Sequence, residues 1–209
     1  VENFKPGTLE KWGYGWKDVN KKFPKLIYAS ASGFGQTGPL KELPAYDMVV
    51  QGMGGLMSVT GQPNSEPTRV GTSIGDITAG LFTTIGINAA LYDRQKTGKG
   101  MYIDVSMLDC QIAILENAIA RYLSKNEIPK PMGSRHPSIA PFEAFKTKDS
   151  HIIIAAGNDK LFEKLCNLLN MSELNSDSKF LDNSSRAKNM DELKKNLEKK
   201  LSKQKTTEW

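Results

Sequence analysis

The sequence predicts an α/β protein: a doubly wound layer on a parallel sheet, then a smaller α+β domain. Three observations carry this. Two short, β-prone runs, "KLIYASAS" at 25–32 and "MYIDVSML" at 101–108, each lead into helical periodicity. Strand and helix alternate through the first part of the chain, as a parallel sheet covered by helices requires. After residue 140 the order changes to two strands followed by two helices.

"PGTLEKWG", 6–13, reads as a short helix opened by Pro6 and Gly7 and closed by Gly13. "WKDVNKKFP" is a second, ended before Pro24. The run 25–32 is too apolar for a half-exposed strand and is expected to be central. "GFGQTGPL" follows as a glycine-rich loop, at the strand end where open α/β folds place ligands. Residues 45–61 begin helical and are then broken by glycines. A helix from Asp76 to about Gln95 ends at "KTGKG", and one helix follows the 101–108 strand to about 124. Residues 125–140, with three prolines and a glycine, read as a linker or active-site loop. Beyond it come a hairpin (142–146, turn "TKDS", "HIIIAAG") and an amphipathic helix with Leu161, Leu165, Leu168 and Leu169 on one stripe. "SDSKFLDNSSRAKNM" reads as a polar loop, and a last helix sets Leu193, Leu197 and Leu201 at spacing four. The expected division is 1–124, 125–140 and 141–209.

The 209 residues are 39% hydrophobic and 24% charged, a soluble globular balance. The net charge of +5 is spread along the chain, with no basic stripe carrying aromatics, so nucleic-acid binding is not expected. An anionic small-molecule ligand fits the balance. No apolar run approaches the roughly 20 residues of a membrane span, and no signal peptide is visible. Both ends read as cut, as in a fragment of a longer protein. Cys110 and Cys166 lie far apart in apolar helical patterns and read as small buried hydrophobes of a reducing compartment. His136 and His151 have no partners at ligand spacing, so no metal is expected.

In "GTSIGDITAG", 71–80, Asp76 stands where a long apolar helix begins. Its residue type and place suit a helix N-cap. They also suit a reactive carboxylate beside free backbone N–H groups, with Gly75 leaving room for a bulky substrate.

Six motifs occur in order: "VENFKPGTLEKWG", "LIYASASGFGQTGP", "AYDMVVQGMGGLMSVTG", "GDITAG", "DRQKTGKGMYIDVSMLD" and "HPSIAPFEAFKTKDS". Together they resemble the class III CoA-transferases, the group of formyl-CoA transferase, carnitine CoA-transferase and α-methylacyl-CoA racemase. The details are most similar to the succinate–hydroxymethylglutarate (glutarate) CoA-transferases. The resemblance covers essentially all of the chain, and family chains are about twice as long. It implies a Rossmann-like large domain, coenzyme A thioesters as substrates with no permanent cofactor, an interlocked homodimer and no membrane partner. A cytoplasmic location, or the mitochondrial matrix in a eukaryote, is expected.

The resemblance puts the nucleophile on Asp76, the Asp of the family's "GD" motif. In the racemase branch a histidine base stands 30 residues earlier. Here that position is Tyr46, whose hydroxyl is a poor base for an α-proton at neutral pH, so transfer is favoured over racemisation. A packed aromatic is the plainer reading of Tyr46. Asp47 matches an acidic active-site position, or simply starts a helix. Asn3, Phe4 and Lys11 match residues along the CoA chain, Lys11 near its phosphates. Pro44 replaces a family lysine and removes one phosphate contact. Met107 matches a methionine near the thioester, and core packing explains it equally well. Gly33 and Gly35 would let the loop approach a ligand, or simply make turns. "GSRHPSIAP" replaces the family's "GGGGQ" loop, and Arg135 or His136 would meet a second substrate carboxylate or remain exposed loop charges. A non-catalytic CoA-binding module is the alternative of another class.

Overall fold

The computed structural model describes residues 1–209, which form two units, 1–131 and 132–209. In the first, helices α1 (Thr8–Lys11) and α2 (Trp16–Lys22) precede strand β1 (Tyr28–Ser32). Helices α3 (Asp47–Met53), α4 (Leu56–Val59) and α5 (Ile74–Thr97) lead to β2 (Tyr102–Ser106), which passes directly into α6 (Met107–Ile114) and α7 (Glu116–Lys125).

β1 and β2 pair in parallel, from Tyr28 opposite Tyr102 to Ser32 opposite Ser106. On the other edge of β1, the Glu2 N–H donates to the Ala29 carbonyl and the Ala31 N–H to the Glu2 carbonyl. β1 is therefore flanked on both edges, and Ala29 and Ser30 are each 1% exposed. The Ala/Ser composition of β1 lets helices come close. α5 lies against both strands and packs on α3 and α6 around Val50, Ala79, Val105, Met107 and Cys110.

Three expectations need correction here. α5 begins at Ile74, with Ser73 at the cap, so Asp76 is its third residue and not its N-cap. The helix expected through 124 divides at Leu115, which lies over Gly55. No Gly or Pro marks that break; a tertiary contact accompanies it. Finally, α5 is long and apolar enough, by length and composition, to cross a membrane. The threonines and asparagine that interrupt its sequence do not break the helix. Ile77, Leu81, Ile85 and Tyr92 are exposed along it.

The second unit opens with antiparallel strands β3 (Phe142–Lys146) and β4 (His151–Ala155), as the hairpin reading expects. Helices α8 (Asp159–Leu168), α9 (Asn183–Lys188) and α10 (Met190–Leu201) follow. The core gathers Phe145, Phe162, Cys166, Leu169, Phe180, Leu193, Leu197 and Leu201. The buried face of α8 carries Phe162 and Cys166, whereas Leu168 is 71% exposed. Of the expected leucine stripe, Leu169 is buried and Leu165 packs on the core, while Leu161 and Leu168 are exposed; Phe162 and Cys166 complete the buried face. The supposed polar loop at 176–190 contains α9 and buries Phe180 and Arg186 completely. Arg186 donates to the carbonyls of Ala140 and Phe180 and to the Asp159 carboxylate, so its charge is fully partnered. Residues 134–136, expected in the linker, are tied to β3: Ser134 Oγ accepts the Ala144 N–H, and the His136 N–H donates to the Phe142 carbonyl.

Candidate active site

The first turn of α5 is built around Asp47. Asp47 opens α3, with one carboxylate oxygen accepting the Gly75 N–H at 2.7 Å and the other the Gln51 side-chain amide at 2.8 Å. The Arg69 guanidinium approaches the same carboxylate at 4.0 Å. Gln51 is fully buried, and its carbonyl oxygen accepts the Val70 N–H at 2.8 Å. Asp47 thus satisfies one of the free N–H groups that a helix start leaves open.

Gly75 is required here for a reason different from the expected one. A Cβ at this position would stand 2.8 Å from Val50 Cγ2 and 3.0 Å from Asp47 Oδ1. The space beside it holds α3, not substrate. On another side of the turn, Thr78 Oγ1 contacts the Ile74 carbonyl at 2.7 Å and accepts the Gln111 side-chain amide at 2.9 Å. Gln111 is also fully buried. Within this clamp Asp76 is exposed, and its carboxylate takes no hydrogen bond or ion pair from the chain. A carboxylate at this position lies in the field of the helix N-terminus.

Tyr46 caps α3 and is 79% exposed, so it is not the packed aromatic of the plainer reading. Tyr46 and Asp76 are the chain neighbours of the bonded pair Asp47 and Gly75, which brings two exposed side chains onto one helix–helix junction. Asp47 is not a solvated acid: it holds the junction. Met107 is 9% exposed and sits in the core.

Asn3, Phe4 and Lys11 are all exposed. The Phe4 ring meets Trp12 edge-on at 5.4 Å, beside Lys11. Between α1, α2 and the loop after β1 lies a cleft of about 660 Å³, with Lys17, Lys21 and Lys41 and the acids Glu10, Asp18 and Glu42 in its walls. Gly33 and Gly35 serve the loop itself. A Cβ on Gly33 would stand 2.3 Å from Ala45 Cβ, and Gly35 has φ +79°. The loop is fastened by Asp104, whose carboxylate accepts the Gln36 N–H at 3.0 Å.

Arg135 and His136 are committed within the second unit, against the expectation that they await a substrate carboxylate. Arg135 bonds Glu143 at 3.0 Å and Asp191 at 2.8 Å; Glu143 also receives Lys194. Desolvation lowers the Arg135 pKa, but its two carboxylates outweigh that and the net shift is upward. His136 Nδ1 accepts the N–H groups of Ser138 and Ile139, and its ring stacks on Phe142 at 5.2 Å. Burial pushes both the Cys110 and Cys166 thiols up to about 11, so neither is a ready thiolate. No group of three His, Cys, Asp or Glu side chains is placed to hold a metal ion.

Sequence reasoning did not single out Gln51, Gln111 or Asp104. Gln51 carried a signal: it is the one polar side chain in "MVVQGM", four residues after Asp47.

This geometry can be set beside known proteins. The model of CoA-transferase family III matches residues 1–209, and the chain belongs to that family. It is 47% identical to acetyl-CoA:oxalate CoA-transferase of Acetobacter aceti, over all of this chain and 54% of that protein. It is 41% identical to mouse succinyl-CoA:glutarate CoA-transferase, over all of this chain and 48% of that one. A CAIB/BAIF family structure from Brucella suis aligns with a TM-score of 0.84 at 42% identity, covering 99% of this chain and 55% of that one. The chain therefore spans about half the length of the curated relatives it matches.

Proposed function

We propose that the protein containing this chain moves coenzyme A between an acyl-CoA thioester and a small carboxylic acid, with Asp76 as the covalent carrier. One observation carries the reading: a family member presents an exposed, unbonded carboxylate on a helix N-terminal turn that is itself rigidly held.

The exchange balances through four displacements. The Asp76 carboxylate attacks the thioester carbonyl, the carbon–sulfur bond breaks, and CoA thiolate leaves behind a mixed anhydride. The thiolate attacks the Asp76 side-chain carbonyl, expelling the donor acid as its carboxylate and leaving an aspartyl-CoA thioester. The acceptor carboxylate attacks that thioester and releases the thiolate again. The thiolate then takes the acceptor's acyl carbon and restores Asp76. Covalent catalysis divides one hard exchange into easier steps, and each anhydride must be shielded from water. Tyr46 is exposed beside the junction, and in this reading its hydroxyl donates a hydrogen bond to an acyl or anhydride oxygen.

Coenzyme A enters as a substrate. The exposed Lys11 is the candidate for its phosphates, and Asn3 and Phe4 for its pantetheine and adenine ends. The relatives named above pair their thioesters with oxalate and glutarate, so a small dicarboxylate is the acceptor class to test, with succinyl-CoA as first donor. Arg135 and His136, bonded within the second unit, are not its anchors in this reading. We place the full protein as a homodimer in the cytoplasm or the mitochondrial matrix.

Racemisation is the second reading, and Tyr46 in place of a basic residue counts against it. Asp76→Asn in the full-length protein is expected to keep the fold and lower CoA transfer by about 10³-fold or more. Transfer by the folded variant at the wild-type rate would overturn the assignment.

A further inference from the structure

We propose that Gln51 is a positioning residue for Asp76, acting through Asp47 and Val70. This deepens the reading above and rests on Asp76 as the covalent carrier.

Gln51 is a fully buried polar side chain in the otherwise apolar run Met48–Met53. Neither end of its amide is idle. The nitrogen donates to Asp47 and the oxygen accepts from the Val70 N–H. Asp47 in turn holds the Gly75 N–H. The segment 70–75 is thereby fastened at both ends by one side-chain relay, and Asp76 is the next residue. Gln111 grips the same turn through Thr78, and its own carbonyl oxygen is buried without a partner. An apolar side chain at 51 would suit the core as well as glutamine does. What glutamine adds is a fixed direction for the first turn of α5. A nucleophile that is exposed and unbonded owes its aim to that backbone, and small misplacements of reacting groups are costly.

The test uses the full-length protein. Gln51→Leu should fold, lose about 10- to 100-fold in kcat and change KM for acyl-CoA by less than about threefold. Gln51→Glu supplies the diagnostic. Its carboxylate faces Asp47, which the Arg69 guanidinium approaches at 4.0 Å from the adjoining segment. Ionised, it repels Asp47. Protonated, it donates to Asp47 and still accepts from Val70, restoring the relay. Relative to wild type at each pH, Gln51→Glu should therefore recover kcat as pH falls from about 8 to about 5, while Gln51→Leu stays low.

A folded Gln51→Leu with wild-type kcat, beside an inactive Asp76→Asn, overturns this inference and leaves the reading of Asp76 intact. An active Asp76→Asn overturns both. Should Gln51→Leu not fold, Gln51→Glu decides: no recovery at low pH sinks the proposal.

Discussion

Gly75 links the packing of this protein to its chemistry. It bonds the clamp residue Asp47 and precedes Asp76, the proposed nucleophile, and its missing side chain lets α3 and α5 meet. Adding one methyl places it 2.8 Å from Val50, closer than real Cβ atoms come, and 3.0 Å from Asp47, a tight contact. Gly75→Ala is therefore expected to destabilise the first unit by about 1–3 kcal/mol and to spread the Asp47–Gly75 contact. A thermal melt with transfer kinetics checks this; an unchanged melt and rate would show that the junction yields easily. At this scale the sequence was partly legible. "GD" before an apolar run points to Asp76 because the motif falls in the first turn of a helix, and the structure shows that carboxylate exposed. The role of Gly75 was misread, since a glycine looks the same whether substrate or a helix fills the space beside it. Arg135 was misread for a related reason. Its partners Glu143 and Asp191 lie 8 and 56 positions further along, and no local pattern announces them.

Among the elements, period and type were legible and the choice of buried face was less so. The strands at 25–32 and 101–108 and the hairpin at 142–155 stood out because β-prone runs were bounded by clear turn residues. The break at Leu115 had no such marker. In α8, counting leucines selected a stripe that includes the exposed Leu168, while Phe162, at 2% exposed, anchors the helix. Phe162 also lies under the Arg186 guanidinium, 4.5 Å from its ring centroid. Phe162→Ala is expected to cost about 3–5 kcal/mol, and Leu168→Ala to stay within about 0.5 kcal/mol. Chemical denaturation of the two variants separates these values, and equal costs would restore the leucine stripe. The segment 176–190 was read as a loop because it is polar, yet a buried arginine with three partners organises it.

For the molecule as a whole, the two units carry different kinds of stability. The first has a small core and long buried polar side chains around the carboxylate junction. The second has a larger apolar core, fastened at its surface by acids held below their usual pKa of 3.8. Asp149 is held there by the N–H of Thr206, and Asp191 by Arg135. A carboxyl whose folded pKa is depressed stabilises above its unfolded value and loses that contribution as pH falls through the folded one. Asp149→Asn should therefore lower the melting temperature at about pH 7, by an amount that shrinks as pH falls below 3.8. An effect that does not shrink would mean that its charge is not what holds residue 206.

The central claim is that Asp76 carries coenzyme A as a covalent thioester, and trapping tests it most directly. The full-length protein is incubated with succinyl-CoA, quenched with hydroxylamine or borohydride, and its peptides weighed by mass spectrometry. The account predicts a mass change on the peptide that contains Asp76, absent in Asp76→Asn. An unmodified Asp76 peptide from folded protein with CoA bound would contradict it and leave Asp76 as an acidic residue of a helix turn.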